Sequence, residues 1–162
     1  MTTKPQRIDP KQVKQFLADA HKKAAAARQN LAIDEETAYQ TAYQAMLKAS
    51  LALMLSHGQR PRVQLGHHIA IIEFAQKHLD PGMVATFALF DRMRRKRNDA
   101  FYDIALISDV EAEDAVRTTE EYLQVVSATS MPEFRKTDCT RFHEGIFRRG
   151  DGGQCDDFSS RM

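Results

Sequence analysis

Residues 92–103 read RMRRKRNDAFYD, with five cations in the first six positions followed by an asparagine and a tyrosine at helical spacing. Guanidinium forks match phosphate oxygens geometrically, and the Asn98 amide and Tyr102 phenol could orient a sugar hydroxyl or a base edge. Arg97 is the decisive member. At about 100° per residue, Met83, Phe90, Met93, Phe101 and Ile104 fall within roughly 40° of it, so it lies near the middle of an apolar stripe. An arginine placed there must be paired, snorkel to water or face a crevice. Arg94 is one turn earlier, so the two guanidinium groups can converge, and Asn98 and Tyr102 are i, i+4 neighbours. Glu73, Asp99 and Asp103 are the carboxylates that could satisfy Arg97 internally. Arg94, Arg95 and Lys96, taken as a bare charge run, read as a solvated face.

Three histidines are weighed beside this cluster. His67 and His68 follow Gly66 at a helix start, but adjacent helical residues diverge by about 100°, so a shared ligand is not expected of them. Each reads as a packing histidine, as does His57 at the end of an earlier helix. Should the chain cleave RNA, one of the three is the candidate imidazole. Other chemistry is not signalled. GxGxxG, GxxxxGK[ST], Gly-x-Ser-x-Gly and HExxH are all absent. The two cysteines, Cys139 and Cys155, show no zinc-site spacing. No metal and no cofactor are expected.

The elements that must position these residues are helical almost throughout. Expected helices run from about Pro10 to Leu31, Asp34 to His57, Val63 to Leu79, Gly82 to Ile107, and Ser108 to Val126. Asp34 reads as an N-cap and Gly58 as a stop. Asp80-Pro81 reads as a cap and first helical residue. Ser108 with Glu111 forms a capping box. No alternating β-branched run suggests a strand. Short connections predict an antiparallel, up-down bundle. The division expected is a basic N-terminal helix over 1–32, a helical core over 33–129 and an irregular tail over 130–162. The tail holds four of the seven glycines, and is expected to be loosely ordered and dispensable.

A chain of 162 residues with 43% hydrophobic and 28% charged residues can bury a core as about one domain. Its net charge of +1 argues against a polyanion binder acting through overall charge. The distribution is uneven, however. Residues 1–33 hold seven cations against two carboxylates, and residues 109–126 hold six carboxylates against Arg117. A local basic surface is compatible with that imbalance. Glu111, Glu113, Asp114, Glu120 and Glu121 are expected either to face water or to meet the basic first helix. No apolar run is long enough for a membrane span or a secretory signal, so a cytoplasmic location without membrane association is expected.

The segment Arg97-Asn98-Asp99-Ala100-Phe101-Tyr102 ends a long fourth helix. Together with the helix carrying Tyr43, Ala45, Lys48 and Leu51 and the helix start at Gly66-His67-His68, it resembles the HEPN domain family over Ile33 to Val126. The resemblance implies a small all-α bundle of toxin–antitoxin, defence or stress systems. In ribonuclease members an arginine, a polar residue and, after a few more residues, a histidine meet their copies across a two-fold dimer to cleave RNA without metal. Carried over, Arg97 takes the arginine position, Asn98 the polar position and Tyr102 the histidine position. They stand as the implied catalytic set, with Arg94, Arg95, His67 and His68 as substrate-binding residues. A phenol titrating near 10 is a poor base, and losing an imidazole typically removes about 10²–10⁴-fold of catalysis. The resemblance therefore implies binding of RNA or a nucleotide over efficient cleavage. Some toxin members carry a tyrosine two residues beyond the histidine, where a partner attaches a nucleotide. Ile104 stands there, so that switch is not expected. The implied partners are a second copy of the chain, through the fourth helix, and a nucleotidyltransferase-type antitoxin. The competing expectation is a non-catalytic homodimeric interaction module with Arg97 held in a salt bridge.

Overall fold

Two capping carboxylates start the first two helices. The computed structural model of the chain describes residues 3–62, 66–99 and 107–131, with residues 98 and 99 by backbone alone. Helix α1 (Pro10–Asn30) begins where Asp9 accepts the Lys11 amide at 2.9 Å, with Pro10 in the first turn. Helix α2 (Glu35–Ser56) begins where Asp34 accepts the Thr37 amide at 3.0 Å. Proline has no amide to satisfy at a helix start, and a carboxylate there also meets the positive end of the helix dipole.

Alanine spacing then sets the packing. The buried stripe of α1 is Val13, Leu17, Ala20, Ala24 and Ala27. Small residues at this spacing let the axis approach α2 closely. Helix α2 is buried on a much wider arc, from Ala38 and Tyr39 through Met46 and Ser50 to Leu55. It is the central element, packed by α1, by α3 (His67–His78), by α4 (Val84–Asp99) and by α5 (Asp109–Ser130). Inside the core, the Ser50 hydroxyl bonds the Tyr122 hydroxyl at 2.7 Å and donates to the Met46 carbonyl at 2.8 Å. The Ser50 and Tyr122 hydroxyls of this α2–α5 contact are thus satisfied. At its rim, Lys48 pairs with Asp19 and Arg28 pairs with Glu120, joining α1 to α2 and α5. Part of the acidic face of α5 therefore does meet the basic first helix.

The all-α bundle holds, with five helices among the described residues. Its details depart from expectation in four places. Helix α3 starts at His67, after Gly66 at φ +83°, so it is shorter than the span from Val63. The Asp80 carboxylate accepts the Gly82 amide at 2.7 Å and the Asp80 carbonyl accepts from Met83. Asp80-Pro81 is therefore a turn before the helix rather than its cap. Ile107 is non-helical, and α5 runs past Val126 to Ser130, opening on the expected Ser108–Glu111 capping box. A two-stranded antiparallel ribbon, β1 (Thr3–Pro5) with β2 (Gln59–Pro61), was not expected at all. Its prolines fit because a two-stranded ribbon leaves half its amides without ladder partners. The expectations for the tail beyond Pro132 lie outside the described residues. Among the described residues no helix is long and apolar enough to cross a membrane.

Candidate functional site

Three helices converge around one buried phenol. Tyr43 lies midway along α2 with its ring packed edge-on against Phe90 of α4, centroids 5.7 Å apart. Its hydroxyl lies 3.0 Å from Nδ1 of His68 in the first turn of α3. The Arg97 guanidinium of α4 stands over the Tyr43 ring, 5.7 Å from the centroid. A cation over an aromatic face in a partly dried site is worth about 0.5–2 kcal/mol. Burial pushes the Tyr43 phenol up to about 12, against the opposing pull of Arg97 and Arg94. The phenol is therefore neutral near pH 7. Of a neutral phenol and a neutral imidazole the phenol is the stronger acid, so we assign its proton to the contact with His68 Nδ1 and the His68 proton to Nε2.

His68 is correspondingly hard to charge. Burial, then the adjacent His67, then Arg97 and Arg94 bring its pKa down from 6.5 to about 4. The His67 and His68 rings meet edge-on at 4.4 Å. At a helix start the side chains of adjacent residues can fold toward one another, so the expected 100° divergence does not keep these two apart.

The cationic run of α4 divides sharply. Asp91 accepts from Arg94 Nε at 2.9 Å and from Arg95 at 2.6 Å. Lys96 pairs with Glu111 of α5 at 2.6 Å. Arg95 turns outward, its side chain 71% exposed, whereas the Arg94 side chain is only 19% exposed. Arg97 is half-buried, and among the described residues no carboxylate pairs with it. Glu73, one carboxylate that could have taken it, is exposed on α3.

Of the residues expected from sequence, the structure brings together Arg94, Arg97, His67 and His68, while Arg95 faces outward and meets Arg94 through their shared Asp91. Asn98 is described only as backbone of α4, and Tyr102 lies outside the described residues, as do the side chain of Asp99 and all of Asp103. Tyr43 is the residue sequence reasoning did not single out for the site. It reads as one more apolar position of α2, and only the Tyr39–Tyr43 repeat one turn apart hints at a hydroxyl needing a partner. His57 has a different fate. Its ring lies 4.7 Å from His78, which stacks on Phe74, and both Nδ1 atoms donate to carbonyls of the preceding turn. These are packing histidines remote from the phenol. Among the described residues no three His, Cys, Asp or Glu side chains cluster to hold a metal.

The HEPN domain family model matches residues 13–129, which takes in α1 to α5 almost entire. No curated protein matches the chain.

Proposed function

This chain belongs to the HEPN domain family, and from that premise we propose that it binds RNA or a nucleotide by its phosphate at the Arg94, Arg97, His67 and His68 pocket. The single observation that carries this reading is Arg97. A guanidinium held half-buried over Tyr43, with no carboxylate partner among the described residues, presents free donors in a partly desolvated crevice. Phosphate oxygens suit that fork, and the low local dielectric strengthens the contact. Arg94, whose charge is offset by Asp91, adds a second guanidinium, and the neutral His68 offers its Nε2 hydrogen to the same anion. Asn98 and Tyr102 are proposed to position the sugar or base, with Arg95 on the outer rim.

The finer reading is a weak, metal-independent ribonuclease. Cleavage of a phosphodiester needs a proton for the departing oxygen. His68 is the nearest group able to supply it, because a bound anion favours the imidazolium and raises its pKa. This places the imidazole on α3 instead of at the Tyr102 position. Self-association through α4, a nucleotidyltransferase-type antitoxin partner, a cytoplasmic location and a role in a toxin–antitoxin, defence or stress system belong to the same proposal.

Fluorescence anisotropy of a labelled RNA over a salt series tests it. Arg97→Ala should weaken binding by about 10–100-fold, the scale of one charge-assisted contact, and reduce the log–log salt slope by about 0.7. Cleavage that survives EDTA and is lost in His68→Gln would support the ribonuclease reading. RNA binding unchanged in Arg97→Ala, with self-association lost, would instead identify a non-catalytic interaction module.

A further inference from the structure

The ribbon of β1 and β2 is a second concentration of cations, built differently from the first. Lys4 lies directly opposite Arg60 in the antiparallel register. Cβ atoms in such pairs are about 4.5–5.5 Å apart, and like charges there repel. Side chains alternate faces along a strand, so Arg62, two residues past Arg60, falls on the Lys4–Arg60 side. The other side carries Thr3, Pro5, Gln59 and Pro61. Of these Thr3, Gln59 and Pro61 are partly covered and Pro5 is exposed, whereas Lys4, Arg60 and Arg62 are all exposed. Strand β2 packs against α2 and α3. The ribbon therefore turns a mixed face to the bundle and a wholly basic face to water.

No acid offsets that face. The sequence contains no Asp or Glu from Met1 to Ile8, nor from His57 to Ile72. Asp9, the nearest, is engaged as the α1 cap. Among the described residues Lys4, Arg60 and Arg62 form no ion pair. Strands of three residues have little stability of their own, yet this pair is tied down at its closed end. The Gln6 amide donates to the Gly58 carbonyl at 2.9 Å, and the Gln6 side chain donates to Gln12 of α1 at 2.8 Å. Gly58 supplies the φ of +68° that this closure needs, and a Cβ there would stand 3.2 Å from the Gln6 carbonyl oxygen. A repulsive cation pair held in fixed register calls for an anion with charges at comparable intervals.

We propose that the outward face of this ribbon, Lys4, Arg60 and Arg62, is a second contact for the sugar-phosphate backbone of single-stranded RNA whose scissile or terminal phosphate lies at Arg97. The inference rests on the RNA reading of the Arg97 pocket and adds to it a length requirement. Arg62 and His67 are five positions apart in the chain, so their Cα atoms are at most about 18 Å apart. A strand of a few nucleotides reaches both places, and a mononucleotide reaches only one.

The test compares a labelled single-stranded RNA of about twelve nucleotides, within the range such grooves cover, with a mononucleotide. The triple variant Lys4→Gln/Arg60→Gln/Arg62→Gln should lower the salt slope for the oligonucleotide by about 2 and its affinity at about 0.15 M salt by about 50-fold, from about 0.7 per phosphate contact. Mononucleotide affinity should not change. Lys4→Glu serves as the control for folding. It places an acid opposite Arg60, so the melting temperature should hold or rise while oligonucleotide affinity falls. An oligonucleotide slope and affinity equal to wild type in the triple variant would overturn the ribbon contact, and the pocket reading would stand if Arg97→Ala still weakened both ligands. Wild-type protein binding neither ligand would overturn both. Ribbon-dependent binding to phosphatidylserine vesicles with no ribbon effect on RNA would overturn the assignment to RNA.

Discussion

Protonating His68 should destabilise the fold in a pH window where the carboxylates are still silent. Its folded pKa of about 4 lies below the 6.5 of an exposed imidazole. The stability it contributes is therefore present above about pH 6.5 and is lost as pH falls through 6.5 toward 4. The groups that face it are Tyr43 from α2, His67 beside it on α3, and Arg94 and Arg97 from α4. A full shift of about 2.5 units would correspond to about 3.4 kcal/mol at about 1.36 kcal/mol per unit. The ring is only partly covered, and water and salt screen it, so a loss of about 1–2 kcal/mol is expected. At about 2–4 °C per kcal/mol for a chain of this size, the melting temperature should fall by about 2–8 °C from this source.

The carboxylates act later. Asp19, Asp91 and Glu111, each lowered first by a hydrogen bond from its cation, and Asp34, lowered first by the Thr37 hydroxyl and then by the Thr37 amide, give stability present above their ordinary values near 4. It is lost as pH falls through their depressed ones. Melting curves of wild type and His68→Gln, compared between about pH 7 and pH 4.5, isolate the imidazole. Imidazole chemical shifts followed by NMR give its titration directly. Arg97→Gln should move the His68 midpoint upward, but by less than a third of the whole drop, because burial and His67 outrank Arg97 among its causes. Inorganic phosphate should move it upward in wild type and much less in Arg97→Gln. A His68 that titrates near 6.5 in the free protein, and responds to neither change, would refute the placement of this imidazole beside Arg97.

Arg95→Gln serves as the internal contrast to Arg97→Ala. Its exposed side chain and surface pair with Asp91 predict an RNA-affinity loss below about 3-fold, because exposed pairs are worth about 0–1 kcal/mol, and anisotropy reads the difference directly. Gly58→Ala forces a Cβ into the left-handed region and within 3.2 Å of the Gln6 carbonyl oxygen. It should cost about 1–2 kcal/mol, and amide hydrogen exchange at Gln6 should accelerate while exchange in α2 and α5 stays protected.

The helices were legible because their ends are marked by side-chain chemistry. Asp34, Gly58 and the Ser108–Glu111 box each act on a neighbouring backbone group, and one sequence window contains the whole cause. The start of α3 was misplaced because Val63 and Leu65 continue the apolar period. Only the left-handed Gly66 interrupts it, and a glycine by itself marks no boundary. The ribbon was invisible for a different reason. Its two strands lie more than fifty residues apart, hold three residues each and contain two prolines, so neither shows a period. The site was half legible. The stripe arithmetic located Arg97, while its contact with Tyr43 and the arrival of His68 depend on how α2, α3 and α4 pack.

Helix spacing also explains why Arg94 and Arg95 find an acid where Arg97 finds none among the described residues. A side chain on α4 finds its partners three or four residues away. Asp91 lies at those distances from Arg94 and Arg95 and takes both. Lys96 reaches the capping Glu111 at the start of α5. One turn back from Arg97 stand Met93 and Arg94, neither of them acidic. Four of these charges can therefore be compared directly. Three are neutralised in place, and the remaining one is turned inward onto a phenol beside an uncharged imidazole. A chain with a net charge of only +1 can in this way keep one guanidinium without a carboxylate partner, among the described residues, beside a buried phenol.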